Sequence, residues 1–201
     1  MSRSDFLRYA RVHHAAAILA GTGAVVVLSA FFGGVHIGLP SIGSGGVTTG
    51  VPFRRELPLM SSVFLAAALK SAMSTHEEMG TQAMHRCRRL YCIGLTAVVC
   101  VFSFAVEALS VDAEAGVVFA RSLLIWYGLA LLSSKLLGDQ LGWAVPLASA
   151  FPLIWYPQQW WDWTFKSAGD PFSWAFAAFT LSVGAGVNAA TAWRRRNWSR
   201  R

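Results

Sequence analysis

Two ionisable side chains lie inside long apolar runs: Glu107 in CVFSFAVEALS and Arg121 in VVFARSLLIWYG. A charge placed in hydrocarbon is expensive and calls for a partner or a route to water. The segment joining the two runs centres near Glu114, seven residues from each. A simple hairpin therefore puts the two side chains at the same depth, and the expectation is a candidate gate pair, Glu107 with Arg121, at the outer end of the bundle. The plainer reading of the same pattern is that each snorkels separately to the nearby interface. Lys70, deep in another apolar run, has a stem long enough to reach the opposite headgroups and is read as snorkelling.

A second concentration of charge is the polar segment THEEMGTQAMHRCRR, with His76, Glu77 and Glu78 at one end and Arg86, Arg88 and Arg89 at the other. At helical spacing this polarity suits the helix dipole, and predicts a short polar helix on the cytoplasmic face that offers a docking surface. His85, Cys87 and Cys92 are close together but supply no fourth ligand, so no metal site is expected. The three cysteines of the chain form no CxxC and no disulfide framework. GSGGVTTG resembles a phosphate cradle only superficially, since it lacks the lysine that reaches the phosphates. No catalytic constellation emerges.

The composition explains why charge is so conspicuous where it occurs. Of 201 residues, 55% are hydrophobic and 13% charged, and mean hydropathy is +0.47. A soluble domain carries roughly 25% charged residues, so a water-soluble globule of this size would lack polar cover. The net charge of +7 is distributed in short clusters between apolar runs, which argues against a nucleic-acid partner and for membrane topology.

A helix needs about twenty apolar residues to cross the hydrocarbon core. Six runs qualify as spans, at 15–34, 57–74, 90–109, 116–137, 141–156 and 172–193. The fold class expected is all-α: one polytopic transmembrane domain over 1–201. The first run is read as an uncleaved span rather than a signal peptide, because it is longer than a usual signal core. Residues 35–56, rich in Gly, Ser and Thr, read as a flexible loop, 75–89 as a cytoplasmic segment and 157–171 as an outer aromatic loop. In that loop Trp160, Trp161 and Trp163 follow Trp155 and Tyr156, either as an interfacial belt or as a short helix dipping back into the outer leaflet. Pro146 and Pro152 predict a kink in the fifth span. With the amino terminus inside, twelve Lys and Arg residues face the cytoplasm and three (Arg54, Arg55, Lys166) face outward. Both termini are therefore expected in the cytoplasm of a multi-pass plasma-membrane protein.

The run LPLMSSVFLAAALKSAMSTHEEMGTQAMHRCRRLYCIGLTAVV, together with ARSLLIWYGLALLSSKLLGDQLGWAVPL and the outer WYPQQWWDWTF, resembles the small six-span actinobacterial form of type-two ATP-binding-cassette exporter permeases. The resemblance implies that 75–89 holds a coupling helix, with His76, Glu77, Glu78, Met79 and Thr81 as its contacts to a cytoplasmic ATPase subunit, and that the aromatic loop holds re-entrant helices. It further implies a second permease chain, as homodimer or heterodimer, contact with membrane lipid, no enzyme activity in this chain, and no cofactor here, since ATP and Mg²⁺ would sit on the partner. The amino-terminal SDFLRYARVHH is short for that family's interfacial helix, and no Walker sequence occurs in these residues.

The function expected is thus export of a hydrophobic or amphipathic natural product or peptide. An alternative is a substrate-binding or regulatory membrane subunit of another transporter. Glu77-Glu78 also resembles the motif of CAAX-type intramembrane proteases, but Gln82 stands where those need an arginine and no histidine follows His85.

Overall fold

The structure is a computed structural model; it describes residues 9–40, 48–68, 82–156 and 159–198. Six helices account for most of it: α1 (Ala15–Phe32), α2 (Leu57–Ala67), α3 (Gln82–Ser110), α4 (Ala113–Leu136), α5 (Ala144–Trp155) and α6 (Pro171–Trp198). They occupy the six apolar runs. Three of them, α1, Arg86–Ser110 within α3, and α4, are long and apolar enough to cross a membrane, while Ala144–Trp155 and Pro171–Val187 are shorter apolar helices. These features fit a membrane protein.

Where composition suggests a flexible loop over 35–56, the described residues on either side of 41–47 form paired strands. β1 (His36–Pro40) and β2 (Thr48–Pro52) pair antiparallel, His36 opposite Pro52 and Gly38 opposite Gly50. The physical reason is that β-branched and aliphatic residues still alternate through the glycines, and pairing satisfies backbone groups that a loop would leave to water. A turn of 3₁₀ helix, Phe53–Arg55, closes the hairpin onto α2, with Phe53 N–H donating to Val35 C=O and Arg54 N–H to Gly33 C=O.

α4 is the axis of the bundle, packing against α2, α3, α5 and α6. Its sequence is apolar on nearly every face, as a helix surrounded by others must be. Phe119, Leu123, Tyr127 and Leu131, four residues apart, form one stripe that joins Ile18 and Val26 of α1, Leu65 of α2 and Val99 of α3 in one core. Ile125 and Trp126, on another face, join Leu153 of α5, Ala177 of α6 and Trp163 in a second. The ends of α4 are defined by polar chemistry. Asp112 caps its start, accepting from Ala115 N–H at 2.7 Å, and Gly138, at φ 93°, turns the chain after its last residues.

α6 crosses α4 at a point of backbone contact. A Cβ on Gly128 would lie 2.6 Å from the Thr180 carbonyl carbon, and one on Gly184 would lie 2.9 Å from the Gly128 carbonyl oxygen. Close crossing through small residues is how helices associate where no hydrophobic driving force separates them from lipid. Gly128→Leu is accordingly expected to force the pair apart and cost at least about 3 kcal/mol as an overpacking change with no room to relax. Thermal unfolding in detergent measures it. A midpoint equal to that of the parent would show that the two helices are not held at this spacing.

The remaining surfaces are apolar. Phe31 of α1 is 80% exposed and Leu109 of α3 88%, within rows that also include Val27, Ile93, Val101 and Phe102. Contiguous apolar cover of this kind is not stable against water, and it is what a lipid-facing helix requires.

Candidate functional site

The polar interior gathers at one end of the bundle, where the hairpin, the starts of α2, α4 and α6 and the end of α3 meet. Its first element is an ion pair that the sequence did not anticipate. Glu107, fully buried, lies with Oε2 2.8 Å from Nε of Arg54, whose side chain is 22% exposed. The approach is off the N–H line, so the attraction is charge–charge rather than a directed hydrogen bond. Arg54 also donates from Nη2 to the Ser29 carbonyl at 3.4 Å. One acidic side chain thereby ties the base of the hairpin to α3.

Arg121 belongs to a second arrangement. It is fully buried and donates from Nη1 to Ser167 C=O at 2.6 Å and from Nη2 to Trp163 C=O and Lys166 C=O, both at 2.9 Å. The expected pairing of Glu107 with Arg121 is therefore replaced. Equal depth in a hairpin does not fix the helix face, and each group turns to a different neighbour. Snorkelling does not describe either residue, since neither reaches solvent.

Arg121 organises the segment after α5. Residues 159–170 form turns rather than the helix dipping into a leaflet that the aromatic spacing suggested. The reason is local hydrogen bonding: Asp162 Oδ1 accepts from Thr164 N–H at 3.0 Å and Thr164 Oγ1–H at 2.6 Å, which closes a turn that competes with helix. Trp163 points inward, its ring 5.4 Å from that of Trp126 and 5.0 Å from that of Phe176. Trp161 packs partly into the same core, whereas Trp160 is 72% exposed and meets Phe172 edge-on. Asp170 then starts α6, its Oδ2 accepting from Ser173 Oγ–H and N–H. Those bonds hold its carboxyl below the ordinary value.

Between these arrangements lies a cleft of about 350 Å³. Arg54, Arg55 and Lys166 contribute cations to its lining, Asp112 and Glu114 carboxylates, and Pro58, Val118, Phe119 and Phe165 an apolar surface. Arg55 stacks over Phe165, its guanidinium carbon 3.1 Å from the ring centroid. Burial lowers the Arg55 pKa, and the charges of Asp162 and Glu56 oppose that shift. Glu56, beside it, is pushed up to about 7 by burial and by Asp162, with Arg55 acting in the other direction.

The Glu56 shift has a measurable consequence. Its folded pKa lies above the unfolded value, so the folded state binds the proton more tightly. The contribution of Glu56 to stability is then fully present below about pH 4.5 and is lost as pH rises to about 7, by up to about 3 kcal/mol. Glu56→Gln is expected to flatten that decline; melting curves between pH 4.5 and 8 that keep the same slope in this variant would exclude Glu56 as its source.

No protein family matches the chain, and no curated protein or solved structure is similar to it. What the site can do is therefore read from its residues alone. The proposed coupling residues His76, Glu77, Glu78, Met79 and Thr81, and Lys70 with them, lie outside the described residues. The described part of that region is the start of α3, where Cys87 is buried and Arg86 and Arg89 are exposed. Nearby, Tyr9 stacks on His13 at 4.0 Å and Tyr91 O–H donates to His13 C=O, so the segment before α1 is docked on α3. Among the described residues no group of three or more His, Cys, Asp or Glu could hold a metal ion.

Sequence reasoning missed Arg54 and Arg55, which it counted only as outward charges for topology. Their adjacency just before LPLMSSVF was the available signal, because two cations at the mouth of an apolar run need acidic or aromatic partners nearby.

Proposed function

We propose that the chain is the permease subunit of an ATP-driven exporter, a six-span protein of the plasma membrane with both termini in the cytoplasm. A second permease chain completes the pathway, and a separate ATPase subunit, carrying ATP and Mg²⁺, docks on the segment 75–89. The chain makes and breaks no bonds. It contributes two arrangements of the helices that differ in affinity for the nucleotide-bound ATPase and for cargo, and the cargo is a hydrophobic or amphipathic natural product or peptide.

The observation that carries this reading is the length of α3. Its 29 residues rise about 43 Å at 1.5 Å each, against a hydrocarbon core of about 30 Å. The apolar part, Arg86–Ser110, ends beside Glu107 in the polar end of the bundle. Four residues, 82–85, extend the helix beyond that part, and Arg86, Arg88 and Arg89 follow them on the same continuous helix, which a docked ATPase could push. Twelve of the basic residues share that side in this orientation.

Reversing the acidic pair tests the docking role. Glu77→Lys with Glu78→Lys is expected to abolish co-purification of the ATPase and its stimulation while the melting midpoint of the bundle stays unchanged. Retained co-purification and stimulation would remove the coupling assignment. The cleft favours a second reading, a ligand-binding membrane subunit of another transporter, for which the same double variant would leave partner binding intact.

A further inference from the structure

We infer that α1 and α3 meet along a polar seam built to open. The Arg54–Glu107 pair latches it at the hairpin end, the contact of Tyr91 with His13 latches the opposite end, and the hydroxyls between them gain water when the helices part. The inference goes beyond the exporter reading and does not depend on it, because the joint is defined by contacts within this chain.

Two contacts set the register of the seam. Tyr91 O–H donates to His13 C=O at 3.4 Å, and Arg54 joins Ser29 C=O to the Glu107 carboxylate. In each case, 13 with 91 and 29 with 107, the opposed residues are seventy-eight positions apart. The spacing is equal at both ends, so α1 and α3 run parallel without slippage. Ser103 is then level with Val25, and Thr22 with Cys100. A Cβ on Gly23 would lie 3.9 Å from the Phe102 ring, as that register requires. α2 returns alongside: a Cβ on Gly21 would lie 2.9 Å from the Phe64 ring. Ser61, one turn nearer the hairpin than Phe64, falls between the levels of Thr22 and Ser29.

The hydroxyls along this seam distinguish it from the rest of the bundle. Thr22, Ser29, Ser61 and Ser103 are at most 1% exposed, and their hydroxyls have no hydrogen-bond partner among the described residues. Ser62, Ser133 and Thr180 are equally buried, yet each donates to a carbonyl. Among the described residues, the buried unpaired hydroxyls of Ser and Thr thus all belong to α1, α2 and α3. An unpaired buried hydroxyl costs free energy that hydration returns. Apolar contact between helices gains little over contact with lipid, so this seam is the cheapest place for the bundle to part. The crossing of α4 and α6 is opposite in kind, with backbones touching at Gly128 and Gly184 and Thr180 satisfied by its own helix. Packed interfaces of this sort switch between discrete arrangements rather than deform smoothly.

The test reads opening by cysteine reactivity in the full-length protein in a nonionic detergent. The probe is the water-borne reagent sulfonatoethyl methanethiosulfonate, and peptide mass spectrometry separates the introduced cysteine from Cys87, Cys92 and Cys100. Ser103→Cys is expected to react at least roughly tenfold faster than Thr180→Cys, which replaces an equally buried hydroxyl at the fixed crossing. Adding Glu107→Gln, which removes the charge of the latch and keeps its volume, should accelerate Ser103→Cys about tenfold again and leave Thr180→Cys unchanged. Thr22→Val acts in the opposite direction and needs no latch variant to fold. It removes an unpaired hydroxyl at nearly constant volume, so it should slow Ser103→Cys and raise the melting midpoint. Equal rates at Ser103→Cys and Thr180→Cys would overturn the joint, as would a Glu107→Gln acceleration just as large at Thr180→Cys, which means general loosening. A lowered midpoint in Thr22→Val would show that its hydroxyl is satisfied in the closed bundle and would equally remove the inference.

Discussion

Arg121→Leu is expected to release the 159–170 segment and to destabilise the bundle by about 3–5 kcal/mol. Hydrogen bonds from a charged donor are worth about 1.5–3 kcal/mol each, and three end on this guanidinium. They are not equivalent: the Trp163 carbonyl is buried, whereas those of Lys166 and Ser167 are partly open to water and recover some of the loss. Arg121→Lys discriminates clamp from charge. A single ammonium cannot span three carbonyls that the planar fork reaches together, so lysine should behave much like leucine. Amide hydrogen exchange provides the local readout, with loss of protection confined first to 159–170. Wild-type exchange there in both variants would mean that the segment is held by Trp163 packing alone.

The Arg54–Glu107 pair should show the largest non-additivity in the molecule. Glu107→Leu leaves Arg54 partly hydrated and is expected to be tolerated. Arg54→Leu strands a fully buried carboxylate and should cost about 3 kcal/mol or more, as broken buried pairs do. Replacing both by leucine is expected to recover most of that stability, because an apolar pair of similar volume escapes the desolvation penalty. Unfolding midpoints of the four proteins complete the cycle. A double variant whose loss equals the sum of the single losses would rule out direct coupling, and a loss from Glu107→Leu exceeding that from Arg54→Leu would invert the burial argument.

Arg121 and the Arg54–Glu107 pair lie where sequence patterns stop informing. The apolar runs coincide with the six helices α1 to α6 among the described residues, because length and hydropathy are properties of a segment taken alone. Glu107 and Arg121 stand out in the sequence as charges inside apolar runs, which need partners. Their partners were not legible. Arg54 lies fifty-three positions before Glu107 and is delivered by a hairpin whose glycine-rich strands resemble a loop in composition. The acceptors of Arg121 are main-chain carbonyls, which every residue carries and no pattern distinguishes. Trp163 illustrates the same limit: five aromatic rings in nine residues resemble an interfacial belt, and only packing against Trp126 separates the buried ring from the exposed Trp160. The short reach of α5, twelve residues, was likewise hidden by Leu141 and its neighbours, which extend the apolar run into a turn of 3₁₀ helix.

The contact of Gly128 with Gly184 and Thr180 makes α6 a lever with a fixed fulcrum. From Gly184 the helix runs thirteen residues back to Pro171 and fourteen forward to Trp198, arms of about 20 Å each at 1.5 Å per residue. Backbones in contact cannot slide without separating, so the rod can tilt but not translate. Tilting about this contact would move the two ends of α6 in opposite senses, but the end at Pro171 follows a segment that Arg121 ties to α4, so the pivot and the clamp together hold that half of the helix in place.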